Sequence, residues 1–579
     1  MLTNLELKYN PLKWFTHRVS TGLDMNAGVN SQLWPRQPEG ATHVWAANGL
    51  GRRDVTRSDN RLISFDYGTS AKFSPVTSFV LTTSAGFQYY KRMRASITAD
   101  GRQFAAIPLT SVGAGAVKTS DENFSENSTV GLFIQQQVDW RNRVFLTGAV
   151  RGDDNSTFGA EYNAAIYPKL SGTWVINEES FWPLPWVDQF KLRGAWGAAG
   201  QQPGTFDASR LYNPEVGYQD LPVLVPGAYG NPQLSPERSE ELEYGFDASV
   251  LDGRIDFNVT RYRRWITDAI VNRPVPPSSG FTGSQTVNVA RVSGWGNELG
   301  ISADVLTKRA FGWNVGVQIA SMGTRIESLG DLGNISAGLR FEHRTGYPVG
   351  GVFVKKIRSA TIDGIGNVTG AICDGGTGTY GADQGGPDFD CTPPTNAVNA
   401  PRVYVGPSTP TWQLGITNSF TLFQNLRIEA RIEGNGGHYN INTEMRASHN
   451  NGSTLQVLTR DDVMVQATRA IENDVMGLYN ASFVKLREVS ASYTLPSSWL
   501  KGLGVTRGAV TVSARNLMML WTGHNGFNTP RDGRVPQIDE LGDEWTWDPE
   551  IRSTGQIAAD FQTVLPPTTS VNVTLRLGF

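Results

Sequence analysis

The sequence has no excess of positive charge. Lys and Arg number 51 against 54 Asp and Glu, a net charge of -3, so the basic footprint of a nucleic-acid partner is missing. There is no apolar run of about 18 residues, which argues against a helical membrane span. That absence leaves a transmembrane β-barrel open, because barrel strands are apolar only on alternate residues. Histidine is scarce, six residues in all, with no H-E-x-x-H and no Cys-rich zinc spacing. No nucleophile elbow is present, and no catalytic residue or cofactor is expected. The opening "MLTNLELKYNPLKWF" lacks the apolar stretch and small-residue cleavage site of a signal peptide. It reads instead as a strand, with Leu5, Leu7 and Tyr9 alternating with Glu6 and Lys8.

Cysteine is nearly absent as well. The two that exist, Cys373 and Cys391, bracket "CDGGTGTYGADQGGPDFDC". A pair around one Gly- and Asp-rich stretch points to a disulfide and an oxidising compartment. The alternative is two unpaired thiols in a long loop. Asp374, Asp383, Asp388 and Asp390 in that stretch are hard oxygen ligands of the type Ca²⁺ takes. They lack EF-hand spacing, and a solvated acidic loop is the better reading. "GTGTYG" (376–381) has no strand before it and no helix after it, so it is not a dinucleotide site.

What the chain does have is turns and alternation. Its 63 Gly and 10% aromatic content suit a β-rich protein. Two-residue periodicity predicts about 17 strands. They lie near 2–9, 15–26, 60–72, 76–96, 126–140, 143–152, 161–177, 188–198, 239–250, 254–269, 287–306, 311–323, 411–422, 426–436, 482–494, 509–520 and 570–579. Short turns at Ser74-Pro75, Arg141-Asn142, Asp252-Gly253, "TKRAFG" near 309 and Gln424-Asn425 alternate with long links at 27–59, 97–125, 199–238, 324–410, 437–481 and 521–569. The links at 153–160 and 178–187 are of middling length and fit the alternation least. In an up-and-down meander, alternate connections fall on opposite ends. Short turns at one end and long loops at the other is the pattern of an outer-membrane barrel.

The faces then acquire a meaning. In "LRIEARIEG", Leu426, Ile428, Ala430 and Ile432 share one side, and Arg427, Glu429, Arg431 and Glu433 share the other. In a barrel the first set meets lipid and the second lines the lumen. The chain ends "TSVNVTLRLGF", with Val571, Val573, Leu575, Leu577 and Phe579 on the lipid side and Arg576 on the lumenal side. Lipid covers such an apolar side, and the strand's edge can pair with the first strand of a closed barrel. A terminal strand ending in Phe also resembles the signal read by the barrel-assembly machinery. Trp521, Trp545 and Trp547 fall in a long link, where they serve either as ligand-stacking rings or as interface-belt and packing aromatics.

Most of the chain resembles the barrel portion of SusC/RagA-type TonB-dependent outer-membrane transporters. The carriers are "ASFVKLREVSASYTLP" (481–496), "SARNLMML" (513–520), "NPQLSPERSEELEYGFDASVLDGRIDFNVTRYRR" (231–264) and "VFLTGAVRGDDNSTFGAEYNAAIYPKLSGTWVI" (144–176). The order Arg151-Gly152-Asp153-Asp154-Asn155-Ser156-Thr157-Phe158 departs from the family's Arg-Asp-Gly-Ser-Ser-x-Phe. The resemblance implies an all-β, antiparallel barrel of about 22 strands, of which residues 1–579 are the C-terminal part. It also implies that the plug and TonB-contacting box belong to residues outside this sequence. The implied function is active import of large nutrients, oligosaccharides or peptides, through the outer membrane of a Gram-negative bacterium. The implied partners are TonB, a SusD-like surface lipoprotein, the assembly machinery and outer-membrane lipid. Two other classes compete: a passive porin-like barrel, and a soluble secreted β-rich glycan-binding protein.

Overall fold

The computed structural model describes residues 1–579 except 41–46, 163, 282, 339, 379–384, 442–462, 473–477, 501–503 and 524–566. Seventeen strands share one antiparallel sheet. In chain order they are β1 (Leu2–Leu12), β2 (Phe15–Trp34), β3 (Arg52–Val76), β4 (Phe79–Phe104), β5 (Gly115–Trp140), β6 (Val144–Asn155), β7 (Ala165–Val175), β8 (Val187–Gln201) and β9 (Glu237–Val250). Then follow β10 (Ile255–Pro274), β11 (Ser284–Lys308), β12 (Phe311–Ser328), β13 (Trp412–Leu422), β14 (Leu426–Gly436), β15 (Phe483–Thr494), β16 (Arg507–Thr522) and β17 (Ser570–Gly578). Every strand read from the sequence is present. The pairings among described residues include none between β1 and β17.

The chain divides into two compact units. The first comprises Met1–Thr173, Ala195–Glu240 and Asp268–Asn288. The second comprises Trp174–Gly194, Glu241–Thr267 and Val289–Phe579.

In the first unit, β1 to β6 pair in sequence order. Two of the expected long links are corrected here. Residues 27–34, 52–59, 97–104 and 115–125 are strand, so β4 and β5 each run 26 residues. A bilayer crossing needs about 9–11 residues. Beyond that length neither face is consistently apolar: in Arg53-Asp54-Val55-Thr56-Arg57-Ser58-Asp59 the hydrophobic alternation stops while the ladder continues. Within the crossing length the faces differ sharply. Phe65 lies opposite Tyr89, and Tyr67 opposite Phe87, on one face. On the other, Asp66 accepts hydrogen bonds from Gln88 at 2.7 Å and Tyr90 at 2.8 Å. The 199–238 link holds a hairpin of its own, Arg210–Val216 with Pro222–Tyr229.

In the second unit, β11 to β17 pair in sequence order. Hairpins close on residues with left-handed backbone. Leu251, Asp252 and Gly253 have φ of 60°, 58° and 72°, and Phe423 and Gln424 have 50° and 67°. The second turn is therefore centred one residue earlier than Gln424-Asn425. Between β12 and β13, and between β14 and β15, the links fold into a layer with its own core. It contains a four-stranded sheet (Ile335–Ser336, Phe341–His343, Gly351–Val354, Val403–Pro407), a three-stranded one (Ile357–Ile362, Val368–Asp374, Asp388–Asp390), and the pair Tyr439–Ile441 and Leu478–Asn480. The helix α1 (Val463–Glu472) packs on the three-stranded sheet. Phe341, Val352, Ile441 and Leu478 are fully buried in one cluster, and Cys373, Cys391 and Ala467 in another.

Candidate functional site

The polar strand face is the first candidate. On a strand, residues two apart share a face, and this chain places opposite charges at that spacing. Arg427 donates to Glu429 at 2.9 Å, and Arg431 pairs with Glu433 at 2.6 Å. Arg487, at a register shift in β15, reaches Glu433 at 2.7 Å and the side-chain oxygen of Asn516 at 2.8 Å. Asn516 has φ 53°, a left-handed conformation that Asn tolerates better than most residues. Arg515 donates to Glu488 at 3.2 Å. These Arg487 and Asn516 contacts were not read from the sequence. The pairing of "KLREV" with "ARNL" across two adjacent strands is where the signal lay. Arg576 is exposed in β17, opposite Ala509.

A cavity of about 610 Å³ continues this polar surface, lined by Arg431 with Asp247, Asp256, Asn258 and Gln318. Arg193 pairs with Asp247 at 3.3 Å and donates to Thr260 at 2.5 Å. In the first unit Arg151 pairs with Asp153 at 2.6 Å, two residues along β6. The opposite strand face is apolar and uncovered by protein. Val571, Val573, Leu575 and Leu577 are 67%, 71%, 59% and 43% exposed, and the terminal Phe579 is 86% exposed. Exposed apolar surface on this scale marks a contact site for another protein segment or a membrane.

The loop layer is the second candidate. Cys373 and Cys391 are joined as a disulfide, wholly buried between the three-stranded sheet and α1. The acidic residues of the bracketed stretch are engaged by protein donors. Asp374 accepts backbone N–H groups of Gly376 at 2.9 Å, Gly385 at 2.7 Å and Gly386 at 3.0 Å, and pairs with Arg358 at 3.0 Å. Burial opposes ionisation of that carboxyl. The Gly385 and Gly376 donors and the Arg358 guanidinium outweigh it and hold its pKa below the ordinary value. Asp390 accepts from Thr392 at 2.6 Å and Asn396 at 2.8 Å, and Asp388 pairs with Arg358. Asp383 lies outside the described residues. Among the described residues no group of three or more potential ligands is placed to hold a metal.

A buried ion cluster ties the two links together. The Glu472 side chain, at the end of α1, is fully buried and pairs with Arg340 and with Arg402 at 3.2 Å. Lys355 donates to the Ala397 carbonyl at 2.6 Å. Burial pushes its pKa down; Glu472 opposes this, and Arg402 and Arg340 reinforce it. Trp521 is corrected from a loop to the end of β16, opposite Val484 and 51% exposed. Trp545 and Trp547 lie outside the described residues.

Comparison with known proteins agrees with this geometry. Residues 2–517 match the sequence profile of the family described as TonB dependent receptor-like, beta-barrel. TonB-dependent receptor P3 of Formosa agariphila is 23% identical over 515 residues, covering 84% of this chain and 50% of that protein. TonB-dependent receptor P39 of the same organism is 25% identical over 224 residues, covering 38% of this chain and 22% of that protein. The chain thus spans half or less of the length of these relatives. A structure of the RagAB peptide transporter superposes over 100% of this chain and 61% of its own, with a TM-score of 0.79 at 19% identity.

Proposed function

The chain belongs to the TonB-dependent receptor-like β-barrel family, and on that premise we propose that it forms the transmembrane wall and outer loops of an active nutrient importer. The apolar faces of β1 to β17 meet outer-membrane lipid. The polar faces, with Arg427, Glu429, Arg431, Glu433 and Arg576, line the passage. The long links, the loop layer included, face the cell exterior. Energy reaches the passage from TonB through parts of the protein outside this sequence. A SusD-like lipoprotein closes over the loops, and the assembly machinery reads the final strand. The cargo is a large nutrient, an oligosaccharide or a peptide.

The observation that carries this reading is the division of one continuous sheet into an exposed apolar face and a charge-paired polar face. A soluble sandwich buries its apolar face; this one leaves it uncovered. The test uses the full-length protein in its native membrane. It is expected in the outer-membrane fraction, with detergent-resistant, heat-modifiable mobility. Uptake of labelled oligosaccharide or peptide should stop when a protonophore collapses the inner-membrane gradient. Uptake that persists after the collapse would establish a passive porin instead. Recovery in the soluble fraction would end the membrane reading.

A further inference from the structure

A second cavity in the second unit, about 760 Å³, is not accounted for by the polar passage. Its volume falls in the range of built ligand sites. Its floor is Tyr262 and Arg264 of β10 with Glu241 and Glu243 of β9 and Glu298 of β11. The roof is Pro348, Val349 and Tyr404 of the loop layer.

The roof is fixed to the strands. Val349 N–H donates to Thr324 Oγ1 at 3.2 Å, Ile326 N–H to the Tyr347 carbonyl at 2.8 Å, and Gly346 N–H to the Ile326 carbonyl at 2.7 Å. Tyr347, Phe353 and Tyr404 pack ring against ring, at centroid separations of 5.1, 5.3 and 5.5 Å. The floor is shaped by a missing side chain. A Cβ at Gly296 would sit 2.5 Å from Cε1 of Tyr262, so only glycine leaves room for that ring. Tyr262 and Tyr404 line the space, while the Trp295 side chain, next to Gly296 in β11, turns to the other strand face and lies over Gly323.

The charge inside is unbalanced. Arg264 is spent on Glu241 at 2.6 Å. Glu243 shares a hydrogen bond, and so a proton, with Glu241; Glu298 adds negative charge beside it and Arg193 offsets part of that charge. Among the lining residues Arg264 supplies the one cation against three carboxylates. Glu243 and Glu298 therefore border the cavity beside aromatic rings, and an incoming cation can replace the proton that Glu243 shares with Glu241. A cation gains there from both, through charge and through the ring faces. The geometry points to a subsite that takes a primary ammonium or guanidinium group of the imported molecule. Both a basic peptide and an amino sugar carry that chemistry. The assignment rests on the importer reading and specifies its cargo.

The test is binding to the purified full-length protein by calorimetry. The probes are tri-lysine, tri-alanine, tri-glucosamine and its N-acetylated form. Tri-lysine or tri-glucosamine should bind at least tenfold more tightly than its uncharged counterpart, and the preference should shrink as salt is raised. The variant Glu243→Gln/Glu298→Gln should abolish that preference. Tyr404→Ala should weaken the charged probe severalfold without restoring the neutral one. Heat-modifiable mobility and uptake of neutral cargo check that both variants fold. A preference for tri-lysine alone identifies a peptide source, and one for tri-glucosamine alone a sugar source. Equal binding of charged and neutral probes, no binding of any, or a preference unchanged in the double variant would overturn the subsite. If the double variant loses none of its preference while energised uptake proceeds, the importer reading stands and this one falls.

Discussion

The second unit contains two regions that use the same apolar side chains in opposite ways. In β17, Val571, Val573 and Leu575 are 67%, 71% and 59% exposed. In the loop layer, Phe341, Val352 and Ile441 are wholly buried. Both regions are built of antiparallel strands with ordinary ladders. The difference lies in the solvent each was made for. The loop layer excludes water by folding links from distant parts of the chain against each other. The strand wall leaves its apolar face uncovered, and on the proposed importer reading a lipid phase covers it. Stability in the first region therefore depends on side-chain complementarity, and in the second on what surrounds it.

The largest expected effect separates the two regions cleanly. Glu472 is the one carboxylate on which both Arg340 and Arg402 converge, and its side chain is fully buried. Removing one partner of a buried cluster leaves the others uncompensated, at a cost of about 3–5 kcal/mol. Glu472→Ala should open residues 340–407 and 463–472 to hydrogen exchange while β13 to β17 keep their protection. Loss of protection throughout the unit would show that layer and wall are one cooperative body.

The next effect runs the other way. Ile428→Arg on the apolar face of β14 should destabilise the wall by about 2–4 kcal/mol at mid-membrane depth. Arg431→Gln on the opposite face should cost well under about 1 kcal/mol, because the Arg431 side chain is 57% exposed and Glu433 keeps Arg487 as a partner at 2.7 Å. Urea midpoints of the lipid-reconstituted protein report both. If Arg431→Gln proves the costlier substitution, the faces are assigned the wrong way round.

A smaller effect isolates the layer by pH. Burial holds the pKa of His343 below its ordinary 6.5, and the neutral ring accepts the Gly350 N–H at 3.1 Å. The unfolded layer takes up a proton as pH falls through about 6.5, whereas the native one resists until its own lower pKa. This contribution is therefore complete above about pH 6.5 and lost as pH falls below it. Asp374, whose pKa is lowered, loses its contribution only as pH falls below about 3.8. Protection factors in the layer, which correct for the fall of the intrinsic exchange rate with pH, should drop between about pH 6.5 and 5 in the wild type and not in His343→Asn. An identical profile in the variant would remove His343 from the account.

The two regions also differed in how much of them could be read from sequence. Every strand of the wall was legible over part of its length, because hydrophobic alternation is local and recurs on each strand. Where β2 to β5 leave the crossing length, the alternation ends and so does the signal, although the hydrogen bonds of the ladder do not. The loop layer was illegible for a different reason. Its strands are two to seven residues long, too short for a period to register. Its helix, "VMVQATRAIE", carries an apolar side with Ala467 and Ile471, but it is only ten residues long and buries Gln466, Thr468 and Glu472 as well, so the stripe is too short and too mixed to stand out. The charged pairs on the polar face were visible as i, i+2 alternation. Arg487 with Asn516 was not, because both sit where the register shifts and the two-residue rule fails.

The smallest predicted effect concerns the short turns that end the wall. Gln424 holds φ at 67° and Gly253 holds it at 72°, nearly the same backbone with different side chains. A Cβ at Gly253 meets nothing within 4 Å, so only the backbone preference separates glycine from alanine there. Left-handed backbone costs a non-glycine residue about 1–2 kcal/mol. Glycine escapes that cost but gives back about 0.5–1 kcal/mol through its greater freedom when unfolded. The difference favours glycine at both turns by between zero and about 1.5 kcal/mol. Gln424→Gly should therefore stabilise the β13–β14 hairpin slightly, and Gly253→Ala should weaken the β9–β10 hairpin by a similar amount. Gln424→Val, branched at Cβ, should weaken it more than any of these. The order of urea midpoints across these variants is the measurement. Because neither turn contributes to the loop layer, hydrogen exchange within that layer should be unchanged in all of them. A Gln424→Gly variant less stable than wild type would mean that the Gln424 side chain contributes a contact worth more than its backbone strain.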